Sequence, residues 1–119
     1  MLSNVRSLLP KVDEVRVICS VRKPDLICIT ETWLDSSVES SLVHMPGYSL
    51  CRNDRKDRRG GGTAVYIRSE IVFADLSNVT ADFSKLGVEI SMVHLPRHRT
   101  LIILMYIPPH IKMTCNNVA

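Results

Sequence analysis

The residues best suited to do chemistry follow a short apolar segment near residue 30. Residues 24–34 read PDLICITETWL, and the four apolar residues between Asp25 and Thr30 are typical of a short buried strand that ends directly before Glu31. Ligands collect at the carboxyl ends of strands in open α/β sheets, so this position puts a carboxylate within reach of a substrate or a metal. On this segment alone, the alternative is a surface or N-cap carboxylate that simply follows the strand.

A second candidate is a basic loop at residues 52–59. It carries a net charge of +3 within eight residues, equal to that of the whole chain, so the remaining residues are neutral overall. A local basic loop on a neutral body favours contact with a phosphate backbone. The alternative is a solvated loop whose charges keep an exposed hairpin soluble. The five basic residues are Arg52, Arg55, Lys56, Arg58 and Arg59.

Three consecutive glycines, residues 60–62, follow the basic loop. A nucleotide-binding loop needs Gly-Lys-Ser/Thr leading into a helix, whereas TAVYI, a strand-forming sequence, follows Gly62. Glycines before a strand more often form a tight turn or a bulge. We therefore predict that they let the basic loop turn back onto a sheet.

The rest of the pattern predicts one helix followed by strands. Apolar residues recur at helical spacing from Val12 to Cys19, with acidic residues in the first turn and Pro24 after the last. Strands are predicted at residues 26–30, 48–51, 63–68, 71–76, 88–95 and 100–107, with a hairpin at 96–99. Apolar and polar residues alternate in residues 88–92, which predicts a strand with a solvent-exposed face carrying Glu89 and Ser91. The continuous apolar run 101–105 instead predicts a strand buried on both faces.

Composition points to an intracellular protein without a membrane role. The 119 residues suit one small domain, and no apolar run approaches the roughly 20 residues of a membrane span. The residues after Met1 have no cationic region leading into a long apolar core, so we expect no secretory signal. His94 and His98 flank Pro96, which prevents a helix from presenting both to a metal. The cysteines lack Cys-x-x-Cys spacing and are predicted to be reduced structural thiols: Cys19, Cys28, Cys51 and Cys115.

An ordered series of short motifs connects these segments. The motifs are NVRSL at 4–8, PDLICITETWL at 24–34, PGY at 46–48, DRKDRRGGGTAVYIR at 54–68 and YIPP at 106–109. Together they resemble the endonuclease/exonuclease/phosphatase domain, in the apurinic-endonuclease-like form carried by LINE-type non-LTR retrotransposons. The resemblance implies an α/β fold: a four-layer sandwich in which two sheets of mostly antiparallel strands pack between helices.

The resemblance also implies roles for three residues. Asn4 is similar to the active-site asparagine after the first strand, Glu31 to the glutamate that binds the divalent metal, and Tyr106 to the tyrosine beside the scissile phosphate. The residue types suit phosphodiester hydrolysis, because Mg²⁺ held by one or two carboxylates neutralises charge on the phosphoryl oxygens. A tyrosine hydroxyl can donate a hydrogen bond to a phosphate oxygen while remaining neutral.

The sequence also departs from the family pattern. Ile107 stands where the family usually has arginine, and no aspartate or glutamate follows Glu89, so the family's Asp-x-Asn and Ser-Asp-His blocks are missing. Only Met1, Leu2 and Ser3 precede Asn4. We therefore expect residues 1–119 to form a single partial domain that lacks most of its first strand and its C-terminal half.

The expected function follows from the resemblance. The full domain would nick DNA with Mg²⁺ and supply the 3′ end that the reverse transcriptase domain of the parent polyprotein extends, and the chain alone is expected to be inactive. Two alternatives remain open. The chain could be a non-catalytic nucleic-acid binder that uses residues 52–59, or a lipid or inositol phosphatase of the same superfamily.

Overall fold

The computed structural model describes residues 1–56, 59–80 and 85–109. Arg58 of the basic loop lies outside them, as do His110 and Cys115. The described residues contain one α-helix, α1 (Val12–Arg22), and several short 3-10 segments. Their strands are β1 (Leu2–Asn4), β2 (Leu26–Thr30), β3 (Tyr48–Asn53), β4 (Thr63–Arg68), β5 (Ala74–Asp75), β6 (Glu89–Leu95) and β7 (Thr100–Tyr106).

The strands form two sheets. The first has the order β1-β2-β4-β3 and the second the order β5-β6-β7. The β1–β2 pair is parallel, and every other pair of neighbouring strands is antiparallel. This mixed α/β arrangement of two mostly antiparallel sheets confirms the predicted fold class.

The helix α1 covers the outer face of the first sheet. Its buried residues Val12, Val15 and Cys19 recur at three- and four-residue steps and belong to the same core cluster as Ile27 and Ile29 of β2. The helix ends at Lys23, which adopts a left-handed conformation (φ 47°) and donates its backbone N–H to the Cys19 carbonyl. The predicted helix and its end are therefore confirmed.

The inner face of the first sheet packs on the second sheet. A second core cluster joins side chains from both sheets: Cys51, Val65, Ile67, Val93, Leu95 and Leu104. The order of layers is therefore helix, sheet, sheet. Strands β2 and β4 lie at the centre of the first sheet and contribute to both cores.

The expected burial of residues 101–105 on both faces is wrong. Leu104 is 6% exposed, but Leu101, Ile103 and Met105 are 48–52% exposed. The reason is that, among the described residues, only the face of β7 toward the first sheet is packed. An apolar face of the second sheet therefore remains open in the part of the chain that the structure describes.

The predicted strand at residues 71–76 is also shorter than expected. Only Ala74 and Asp75 pair with β6. Ile71 closes a turn onto the Arg68 carbonyl, and Ile71 and Phe73 pack against the second core without a strand partner. Their apolar character reflects this side-chain packing rather than a long strand.

The cysteines within the described residues are free thiols, as the sequence predicts. Burial raises the pKa of Cys19 and of Cys28, and raises that of Cys51 to about 12. These thiols are therefore protonated at neutral pH and unreactive as nucleophiles. Within residues 1–56, 59–80 and 85–109, no helix has the length and apolar composition that crossing a membrane requires.

Tyr66 supplies a test of the first core. Its side chain is fully buried, and its hydroxyl donates a hydrogen bond of 2.7 Å to the Val43 carbonyl. We expect Tyr66→Phe to lower the free energy of unfolding by about 1–2 kcal/mol at pH 7, because the buried carbonyl loses its donor. Urea denaturation followed by circular dichroism measures this loss. Tyr48→Phe is the control: Tyr48 is also buried, but its hydroxyl bonds to the carbonyl of half-buried Pro24, so this variant should lose less stability.

The natural chain and Tyr66→Phe should also differ in how their stability depends on pH. Burial raises the pKa of Tyr66 from its usual 10.0 to about 12 in the folded chain. The stability that the neutral phenol contributes is therefore complete below pH 10 and is lost as pH rises toward 12. The free energy of unfolding should fall more steeply above pH 10 in the natural chain than in Tyr66→Phe. Equal slopes would contradict this assignment.

Candidate functional site

The parallel strands β1 and β2 end side by side. Asn4 is the register partner of Thr30, and the Val5 N–H donates to the Thr30 carbonyl at 3.2 Å. Glu31 is the next residue after β2. Asn4 and Glu31, which the resemblance assigns to the active site, therefore lie at the same edge of the first sheet.

The backbone at this edge is strained. Four residues that are not glycine adopt left-handed conformations: Arg6 (φ 48°), Ser7 (φ 86°), Glu31 (φ 56°) and Trp33 (φ 56°). Such a conformation costs roughly 1–2 kcal/mol for each residue, so the surrounding structure must compensate for it. Backbone hydrogen bonds supply this support, from Ser7 to the Glu31 carbonyl at 2.8 Å and from Trp33 to the Gly61 carbonyl at 2.8 Å.

Glu31 and Tyr106 meet across the two sheets. The Tyr106 hydroxyl, at the end of β7, donates a hydrogen bond of 2.8 Å to Glu31 Oε1. Burial and this hydrogen bond raise the pKa of Tyr106, so the phenol stays neutral and remains a donor at neutral pH. Residues 75 positions apart in the sequence thus form one polar pair at the edge of the sandwich.

Glu89 lies beside this pair, and the expected wet face at Glu89 and Ser91 is wrong. Glu89 is the register partner of Tyr106, and its side chain is only 12% exposed. Ser91 is 1% exposed and shares a 2.6 Å hydrogen bond with Thr63. The alternation reflects a polar strip between the two sheets rather than a surface, because partners from the first sheet satisfy both side chains.

The partners of Glu89 come from the basic loop and the glycines. Arg55 Nη2 lies 2.6 Å from Glu89 Oε1, and the Gly62 N–H donates to Glu89 Oε2 at 2.8 Å. Arg55 Nη1 also donates to the Arg59 carbonyl at 3.2 Å. The Arg55 side chain is 13% exposed, so this ion pair is largely buried.

The glycines make this packing possible. A Cβ on Gly61 would lie 2.3 Å from the Arg55 guanidinium, and a Cβ on Gly62 would lie 2.5 Å from Thr32 Oγ1. Both glycines have positive φ, at 63° and 89°. The predicted turn of the basic loop onto the sheet is therefore confirmed.

Arg52 also has a structural role. It forms a 2.6 Å ion pair with Asp54 and donates to the carbonyls of Asp35 at 2.9 Å and Val38 at 2.8 Å. These bonds hold residues 35–38, which follow Glu31 in the sequence, against β3. Arg52 and Arg55, both predicted to bind nucleic acid, are thus already engaged by the protein.

Lys56 and Arg59 have a different environment. Both side chains are exposed, and neither forms an ion pair with any of the described residues. They line a cleft of about 900 Å³, and the other described residues of its lining are Ser7, Trp33, Leu34, Asp35, Arg55 and Gly60. Arg58 lies outside the described residues, so its predicted role stays a prediction.

The chemistry of the site suits a magnesium ion held by one protein carboxylate. Among the described residues, no group of three or more acidic, histidine or cysteine side chains gathers into a metal site. Mg²⁺ commonly keeps several waters and binds through one or two carboxylates plus substrate phosphates, so such a group is not required. Glu31 fits this mode, because within the described structure only Oε1 accepts a protein hydrogen bond.

Sequence reasoning missed two residues of this region. Glu89 could have been noticed as a lone carboxylate in an otherwise apolar strand, but no sequence signal connects it to Arg55. Trp33 directly follows the Glu-Thr pair, and its position by the cleft depends on the backbone conformation. Asn4, Glu31 and Tyr106 are brought to one edge of the sandwich, and the basic loop is fastened next to it.

The fold and this edge define a two-sheet α/β sandwich with a Glu–Tyr pair at one end and a basic loop beside it. The sequence matches the Endonuclease/Exonuclease/phosphatase family over residues 1–110, and the chain belongs to that family. No protein with a curated function matches its sequence.

A solved structure shows the same fold. It is the 3′ phosphatase NExo from Neisseria, in a variant form bound to a product DNA hairpin. The TM-score is 0.62 at 18% sequence identity, and the match covers 88% of this chain and 39% of that one. The chain therefore spans well under half the length of this structural relative.

The glycines provide a matched test of local packing. Gly62→Ala should lower the free energy of unfolding by about 2 kcal/mol or more, since it adds a clash with Thr32 to the cost of a positive φ. Gly47→Ala is the control, because Gly47 also has a positive φ but has no atom within 4 Å of the added Cβ. It should cost only about 1 kcal/mol. Equal losses in urea denaturation would contradict the close packing of Gly62 on Thr32.

The basic loop gives a second matched test. Arg55→Met should destabilise the chain by about 2–4 kcal/mol, because it leaves the Glu89 carboxylate buried without its partner. Lys56→Met removes the same charge from an exposed position and should change stability by less than about 0.5 kcal/mol. Thermal and urea denaturation measure the loss of stability in each variant. A similar loss in both would show that Arg55 has no special structural role.

Proposed function

We propose that this chain belongs to a Mg²⁺-dependent DNA endonuclease domain of the type carried by LINE-type non-LTR retrotransposons. The observation that carries the proposal is the hydrogen bond between Tyr106 and Glu31. It joins a carboxylate at the end of a parallel strand to a neutral phenol from the other sheet. Membership of the Endonuclease/Exonuclease/phosphatase family supports phosphodiester chemistry at this edge.

Each residue of the site has a role in this proposal. Glu31 would hold Mg²⁺ together with water and a substrate phosphate, and the bound ion would neutralise charge on the phosphoryl oxygens. Tyr106 stays neutral and can donate a hydrogen bond to a phosphate oxygen once substrate competes with Glu31. Asn4 supplies a carboxamide at the same sheet edge, where its NH₂ group can orient the phosphate by donating a hydrogen bond to it.

The retrotransposon assignment rests on the ordered motifs. The motif PDLICITETWL at 24–34 contains the strained turn at Glu31 and Trp33. The motif RGGGTAVYIR at 59–68 supplies the glycines that pack beside this turn. In that setting the partner would be the reverse transcriptase domain of the parent polyprotein, and the protein would act inside the cell on DNA.

We also propose that residues 1–119 form one part of the domain. The exposed apolar residues Leu101, Ile103 and Met105 form a face that a further layer of structure would cover. In the proposed complete domain, the residues that complete the catalytic set come with that layer. Catalytic groups that act as a unit are strongly non-additive, so the chain alone should have very little activity.

Non-catalytic nucleic-acid binding is the second candidate. The observation that favours it is the exposure of Lys56 and Arg59 at the cleft, without ion pairs to any other described residue. Binding that depends on these two side chains and weakens with salt, without any effect of Glu31 substitution or divalent metal, would favour this candidate.

The test of the proposal is metal binding at Glu31. Titration with Mn²⁺, a paramagnetic substitute for Mg²⁺, should broaden the NMR signals of Glu31 and Tyr106, and Glu31→Gln should remove the effect because it removes the ligand charge. Glu14→Gln is the control, since Glu14 is an exposed carboxylate on α1. Broadening that persists in Glu31→Gln would overturn the metal role.

A plasmid-nicking assay at millimolar Mg²⁺ completes this test. The chain alone is expected to nick no more than its Glu31→Ala variant. A clear Mg²⁺-dependent difference between the two would show that the chain is active without further residues, while supporting Glu31 as the metal ligand.

A further inference from the structure

Trp33 is the single tryptophan of the chain and is 50% exposed. Its backbone is held in place, because its N–H donates to the Gly61 carbonyl at 2.8 Å and its neighbour Leu34 is buried. The indole lies next to Gly60, with Nε1 3.7 Å from the position that a Cβ would take there. An aromatic ring is therefore fixed, half exposed, on the wall of the cleft.

The described lining of the cleft carries a net positive charge, which favours an anion. Lys56 and Arg59 line it with exposed side chains, whereas Arg55 on its wall is neutralised by Glu89. The acidic member, Asp35, is exposed and accepts hydrogen bonds from the hydroxyl and the backbone N–H of Ser37, which lower its pKa and keep it charged. The described lining thus presents two cations without ion pairs against one carboxylate, beside an aromatic surface.

We propose that this cleft binds one unpaired nucleotide of a DNA strand. The base stacks on the Trp33 ring, and the adjoining phosphates pair with Lys56 and Arg59. Aromatic platforms combined with basic side chains are the usual means of binding single-stranded nucleic acid, because every base has a face that can stack. Both faces of a base inside a duplex are stacked on neighbouring bases, so a base that stacks on the ring must be unpaired.

The position of the cleft connects it to the candidate active site. Trp33 follows Glu31 by two residues, a distance of at most about 7 Å along the chain. Thr32 and Trp33 donate to the carbonyls of Gly62 and Gly61, so the same glycine segment supports both places. This inference rests on the proposed function for its ligand, DNA, and adds that the strand is locally unpaired beside the phosphate that is cut.

Tryptophan fluorescence tests the proposal directly, because Trp33 is the only emitter of its kind. The chain is titrated in EDTA at low ionic strength with an oligothymidylate of about eight nucleotides. The controls are an oligomer of the same length made of abasic residues, a duplex of the same length, and free thymidine monophosphate. We expect strong quenching by the oligothymidylate and much weaker effects from all three controls.

Variants separate stacking from charge in an anisotropy assay with labelled oligothymidylate. Trp33→Leu should weaken binding about 5- to 100-fold, and Trp33→Phe should retain most of the affinity because it keeps a ring. Lys56→Met/Arg59→Met should also weaken binding. Arg22→Met/Arg97→Met is the charge-matched control, since both residues are exposed and neither lines the cleft.

The proposal is overturned if the abasic oligomer binds and quenches as well as the oligothymidylate, if Trp33→Leu binds normally, or if no strand binds. Equal binding of free thymidine monophosphate would identify a mononucleotide site instead. Because the assay contains EDTA, it does not depend on metal at Glu31. Base-dependent quenching with no Mn²⁺ effect would leave this inference standing while the endonuclease proposal fails, and the reverse result would remove only the nucleotide cleft.

Discussion

The carboxylate of Glu89 joins the two sheets at the edge where the candidate active site lies. It belongs to the second sheet, but its partners, Arg55 and Gly62, come from the loop that precedes β4 of the first sheet. Tyr106 is its register partner on β7, so the strand that carries Glu89 also sets the position of the phenol that contacts Glu31. A largely buried ion pair is weak evidence for stability in general, yet here it fixes how the two sheets align at the site.

This alignment also explains how the strained segment after β2 persists. Glu31 and Trp33 have positive φ, a conformation that would relax in an isolated peptide. Thr32 and Trp33 instead bond to the carbonyls of Gly62 and Gly61, and Glu89 holds the glycine segment through the Gly62 N–H. The strain at the candidate metal ligand is therefore compensated by contacts from both sheets.

Local pattern was sufficient to predict elements in which the spacing of apolar residues matches their burial. Helix α1, packed on one face, and strands β2 and β4, packed on both, were predicted closely for this reason. The polar strip at Glu89 and Ser91 was misread as a surface, since its partners lie 34 and 28 positions away in the sequence. The apolar run in β7 was predicted to be buried on both faces because apolar residues indicate the need for a covering layer rather than its presence. Glu31 was made a candidate by its place after a strand together with the family resemblance, whereas the Trp33 cleft depends on φ angles that no local pattern reveals.

Net charge is a poor guide to what the basic loop can bind. The sequence has five basic residues between positions 52 and 59. Two of them, Arg52 and Arg55, form ion pairs within the fold. Of the loop cations that the structure describes, Lys56 and Arg59 are left to meet phosphates. Two phosphate contacts give only weak binding, and salt weakens it further. Useful affinity for DNA at this cleft must therefore come from a contact that salt does not screen, and the half-exposed ring of Trp33 is the group in position to make it.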